Sequence, residues 1–212
     1  MRTEVLSILG VVLLGAAPQV WAIPGASLDD DGSSAPKVTA SPQDAAVYNE
    51  ALALMKKGDA LAAPAAAHDA YASARAKLQS LVARSPQFAE GWNSLGYTQR
   101  KLGAYDDALA SYGKALDLRP GFPEALEYRG EAYLRLNRLH EAKQAYLDLF
   151  ASNRKVAATL LEAMKVWVSA PHSAHGVDAD DITDLKQWVQ ERSQIATQTA
   201  ALTREGAAAS WR

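Results

Sequence analysis

Two groups of side chains in this 212-residue chain have types and spacings that could do chemistry. His172 and His175 stand three apart beside Asp178, Asp180 and Asp181, so imidazoles and carboxylates could meet a Zn²⁺ or Cu²⁺ ion. That pattern lacks an established ligand spacing and a visible second shell, so a flexible polar loop with incidental histidines is the favoured reading. The second group is acidic: Glu124, Glu127 and Glu131, at spacings of three and four, fall on one helical face. They would favour a cationic stretch of a partner, or simply form a solvated surface. No nucleophile elbow, phosphate-cradling glycine loop, zinc-peptidase helix motif or paired acid–base carboxylates accompany them. His68 and His140 read as surface or hairpin residues. The expectation is a protein that is not an enzyme and uses no cofactor.

The elements that must carry these residues repeat at a period of 34. Ala74, Ala108 and Ala142 line up with Leu78, Tyr112 and Tyr146 four residues on, and Pro86 recurs as Pro120, Glu90 as Glu124, Gly96 as Gly130 and Leu102 as Leu136. A period in this range means stacked helical hairpins. Ser41-Pro42-Gln43-Asp44 offers an N-cap, a proline at the first helical position and an acid at the third, so order is expected from Ser41. The first helix should run to about Lys57, where Gly58 and Asp59 break it. An insertion of about 11 residues, 59–69, then separates it from a second helix reaching Arg84. Helices follow near Phe88 to Leu102, Tyr105 to Leu118, Pro123 to Leu136 and Leu139 to Ala151, with turns at Gly103 and Asn137. Leu160, Met164 and Trp167 continue one more first helix. After a loop from Pro171 to Ala179, Asp180 or Asp181 caps a last helix whose Ile182, Leu185, Trp188, Val189 and Ile195 share a face, and Gly206 ends it.

In the second unit Trp92, Leu95, Gly96, Ala108, Tyr112, Ala115 and Pro120 stand at the spacing of the tetratricopeptide repeat signature, and the chain resembles that family over about residues 44 to 156. Gln99 departs from the signature, which prefers Tyr there, and Leu126 and Arg129 replace Trp92 and Leu95 in the third unit. The resemblance implies an all-α right-handed superhelical solenoid of about three hairpins, 41–88, 89–122 and 123–156, with a half-repeat, loop and capping helix over 157–205 and a tail over 206–212. It also implies a concave groove that grips a peptide segment or partner helix. Carried over position by position, the lining is Tyr48, Asn49, Leu52 and Met55, then Asn93, Tyr97, Arg100 and Lys101, then Glu127, Tyr128, Glu131 and Arg135. Tyr97, Arg100, Lys101, Glu127, Tyr128, Glu131 and Arg135 are the expected partner-binding residues. A clamp for a C-terminal carboxylate, known in some members, is not expected: the matching places hold Tyr48, Leu52, Ser94, Glu124 and Tyr128. Trp92 is expected in the core, and Trp211 at a frayed end.

Arg2, the apolar run from Val5 to Ala17 and the small-residue pattern Val20-Trp21-Ala22 read as a secretory signal peptide, 1–22, cut after Ala22, with an uncleaved anchor as the alternative. Residues 23–40, rich in Gly, Ser, Pro and Asp, read as a disordered linker. Alanine-rich composition and the compact signal segment suggest a bacterial chain, periplasmic or secreted. There is no cysteine, hence no disulfide, thiolate site or lipidated Cys. A net charge of −2 argues against nucleic acid and anionic membrane as partners. The leading expectation is a non-catalytic protein-interaction module of the cell envelope. A structural, oligomerising subunit and a metal-binding accessory protein built on His172 and His175 are the alternatives.

Overall fold

The computed structural model describes residues 41–170 and 177–209, with side chains through Thr199. The signal-peptide and linker expectations, the His172/His175 pair and Trp211 lie outside the described residues. The described chain forms eight helices: α1 (Pro42–Ala60), α2 (Pro64–Arg84), α3 (Ala89–Lys101), α4 (Tyr105–Leu118), α5 (Pro123–Arg135), α6 (Leu139–Ser152), α7 (Arg154–Ser169) and α8 (Ala179–Ala209). They pack as successive hairpins, α1 on α2, α3 on α4 and α5 on α6. This is the arrangement of a helical-repeat solenoid.

First helices also touch the first helices before and after them: α1 meets α3, α3 meets α5 and α5 meets α7. Second helices make no comparable contact with one another. The first helices therefore lie on the tighter, inner side of the stack. Small residues on the first helices admit a neighbour's bulk, from the same hairpin at Gly96 and from the next unit at Gly130. A Cβ added at Gly96 would lie 2.6 Å from the Tyr112 ring, and one at Gly130 would lie 2.6 Å from Leu160 Cδ2. The turns repeat as well, since Gly103 (φ +79°) and Asn137 (φ +58°) both take the left-handed conformation that ends a helix.

The first hairpin departs from expectation. Gly58 and Asp59 do not break α1, and 59–69 does not loop out; the extra residues lengthen both helices, to 19 and 21 residues against 13 and 14 in the second unit. A single glycine costs a helix only about 1 kcal/mol. Here its missing side chain admits the Tyr71 ring, which would stand 2.8 Å from an added Cβ. Gly58 is thus the close-approach glycine of its hairpin, as Gly96 is of the next. The break falls instead at Pro64, which forces Ala63 into an extended conformation and starts α2 at its first position. The start of α1 follows its sequence signal: the Ser41 hydroxyl accepts the Asp44 N–H at 3.1 Å. The Asp44 carboxylate in turn accepts from Ser85 (2.6 Å) and Arg84 (3.0 Å), tying the two ends of the hairpin together. Those hydrogen bonds, that from Ser85 first, hold its carboxyl below the ordinary range.

At the far end α7 packs on both α5 and α6, and α8 packs on α7. Leu160, Leu161, Met164, Leu185 and Val189 form one buried cluster there, with Trp188 against its edge. Ile195 does not join it: it is exposed. Asp180 and Asp181 sit inside the first turn of α8, and Asp178 supplies the cap by accepting the Asp180 N–H at 3.2 Å. The helix continues through Gly206 to Ala209. Trp92 is half-buried, its Nε1 donating to the Pro86 carbonyl at 2.9 Å.

Candidate functional site

Tyr97, Arg100 and Lys101 on α3 and Glu124, Glu127, Tyr128, Glu131 and Arg135 on α5 stand at helical spacing, and Tyr97, Arg100, Tyr128 and Glu131 meet at the seam between the two helices. Tyr97 and Tyr128 touch, with ring centroids 5.2 Å apart. The Arg100 guanidinium lies 5.3 Å from both ring centroids and bonds the Glu131 carboxylate. Burial opposes the charge on Arg100, but the Glu131 carboxylate together with the Tyr112 and Tyr97 phenols more than offsets it and raises the guanidinium pKa.

A second cation is committed in the same way. Lys101 Nζ stands 3.1 Å from Asp59 Oδ1 and over the rings of Tyr71 (5.2 Å) and Tyr97 (5.6 Å). The same Asp59 oxygen accepts the hydroxyls of Tyr71 and Tyr97, each at 2.6 Å. One carboxylate on α1 therefore joins α1, α2 and α3. Burial, and then the Asp59 acceptor, push the pKa values of both phenols up, so each remains a hydrogen-bond donor.

The seven residues expected to bind a partner thus have unequal surroundings. Arg100 and Lys101 are paired within the chain, Glu131 is paired with a quarter of its side chain exposed, and Tyr97 is buried. Tyr128 is half-buried and Arg135 exposed. Glu127 is the exception to any solvated acidic face: it is only 6% exposed, and its Oε1 has no hydrogen-bond partner. Burial, then the charge on Glu131, push its carboxyl up to about 8 against the pull of Arg100. Asn93, one period earlier on α3, is likewise buried with its Oδ1 unpartnered. Of the remaining groove positions, Tyr48 meets Ser94 at 3.1 Å, Leu52 and Met55 are half-buried, and Asn49 is exposed.

Sequence reasoning missed Asp59, which it assigned to a helix break and insertion, and Tyr71, to which it gave no role at the site. The usable signal was the pair Gly58–Tyr71, a small residue facing an aromatic as at Gly96 and Tyr112. The Gln99 departure also has its reason: Gln99 Oε1 accepts the buried Ser111 hydroxyl at 2.6 Å, joining α3 to α4.

A 34-residue window with these paired glycines, alanines and tyrosines is what a family comparison must recognise. Residues 89–122 match the tetratricopeptide repeat. This repeat is a protein–protein interaction module, and its family is non-catalytic. The matched window spans α3, α4 and the turn into α5. Among solved structures, a chain of the CopN-Scc3 complex is similar with a TM-score of 0.49 at 22% identity, over 58% of this chain and 69% of that chain. No curated protein matches the chain. Among the described residues no helix is long and apolar enough to cross a membrane, and no three His, Asp or Glu side chains gather as a metal site.

Proposed function

We propose that this chain is an exported, non-catalytic interaction module of the cell envelope that takes a peptide segment or partner helix against the inner face formed by its first helices. The observation that carries the reading is the α3–α5 seam, where rings and charges are fixed before any partner arrives. Tyr128 on this seam is half-buried and Arg135, further along α5, is exposed, while Arg100, Lys101 and Glu131 are held by internal pairs. Side chains already fixed lose little rotamer freedom on binding, and a short groove needs that saving. Aromatic and Arg side chains are also those that dominate protein interfaces. Export is supported by Arg2, the apolar run Val5 to Ala17 and Val20-Trp21-Ala22.

Selection of a random displayed peptide library against the full chain tests the reading. Enriched peptides should lose binding to Tyr128→Ala and Arg135→Glu and keep it with Lys114→Glu on α4. Peptides indifferent to the α5 changes would contradict it.

A further inference from the structure

We propose that Glu127 is the recognition carboxylate for a lysine or arginine side chain of the bound protein segment, and that seating this cation displaces a proton from the site. The inference rests on the inner-face reading above and names the chemistry of its partner.

Three carboxylates, Glu124, Glu127 and Glu131, lie along one face of α5. The cation that opposes the shift at Glu127 is Arg100, and its guanidinium is already bonded to Glu131. Lys101 is held by Asp59. Both α3 cations are therefore engaged within the chain, and Arg135 on α5 itself is exposed. Glu127 is also more than nine-tenths buried, with Oε1 lacking any partner. A buried acceptor left unpaired is costly to the folded chain, so it marks a place where a donor is wanted. Asn93 Oδ1 repeats the vacancy one period earlier.

The charged and titratable groups facing Glu127 come from α3, α4 and α5 itself. They are Arg100 on α3, Tyr112 on α4, and Glu124, Tyr128 and Glu131 on its own helix. The opposite flank of α5 meets α6 and α7, at Gly130 against Ala145 and Leu160 and at Arg129 beside His140, Glu141 and Asp148. With its carboxyl raised to about 8, Glu127 is mostly neutral at pH 7. A cation brought against it lowers that pKa, and the proton leaves to solvent as the ion pair forms. Affinity should therefore rise with pH by up to about tenfold per unit between roughly pH 6 and 8 and flatten above.

Peptides selected against the full chain are sequenced, and one is synthesised with and without its basic residue replaced by norleucine. Calorimetry from pH 6 to 9 is then run on the native chain and on Glu127→Gln, an isosteric change that preserves the neutral form. The expected result is a Lys or Arg common to the selected peptides, affinity rising with pH, and at least a tenfold loss at pH 8 for the norleucine peptide or the Glu127→Gln chain, with the pH slope gone. Peptides that depend on Tyr128 but share no basic residue, or that bind Glu127→Gln with unchanged affinity and slope, would overturn the inference while leaving the inner-face reading intact. Peptides indifferent to Tyr128→Ala and Arg135→Glu would overturn both.

Discussion

Glu127 is a carboxylate buried with one oxygen unpartnered, and this has a consequence for stability apart from any partner. Its folded pKa is raised to about 8 from an ordinary 4.5. Below the lower value both folded and unfolded chains hold the proton, so Glu127 makes no difference. As pH climbs from about 4.5 to 8 the unfolded chain releases the proton and the folded chain keeps it, so stability falls across that window and then levels. Glu127→Gln, which cannot ionise, should raise the melting temperature at pH 8 to 9 and leave it nearly unchanged at pH 4; equal shifts at both would refute the assignment. Gly96 presents the opposite case, a residue chosen for what it lacks. Gly96→Ala sets a Cβ 2.6 Å from the Tyr112 ring and should cost about 1–3 kcal/mol in urea unfolding.

Helix by helix, the second and third hairpins are where sequence periodicity suffices, because Gly96, Ala108 and Tyr112 and their counterparts Gly130, Ala142 and Tyr146 encode local packing. The first hairpin was less legible for a physical reason. Gly58-Asp59 has the composition of a helix stop, and only the tertiary approach of Tyr71, Tyr97 and Lys101 makes it the middle of a contact. The candidate site shows the same division. Helical spacing places Tyr97, Arg100, Tyr128 and Glu131 on facing helices, but it cannot say that the charges pair with each other or that Glu127 is buried, since both depend on how closely α3 and α5 approach. Asp59→Ala leaves two phenols and an ammonium without their shared acceptor and should cost about 1–3 kcal/mol. Amide exchange should then quicken in α1 and α2 while α5 and α6 hold their protection; uniform change would show that Asp59 does not join the hairpins.

Across the whole molecule, the stack is closed at its C-terminal end by α8, whose Leu185 and Val189 cover α7. Its inner face carries the touching Tyr97 and Tyr128 rings and the buried, unpartnered Asn93 Oδ1 and Glu127 Oε1. The export proposal belongs to this scale too: intact-mass measurement on protein made in a secretion-competent host should give a chain beginning at Ile23, and a retained Met1 would argue for the anchor instead. The central claim, that partners dock on the first helices, is tested most directly by hydrogen exchange on the full chain with and without a library-selected peptide. New protection should concentrate in 89–101 and 123–135, the spans of α3 and α5. Protection confined to α4 and α6, 105–118 and 139–152, would contradict it.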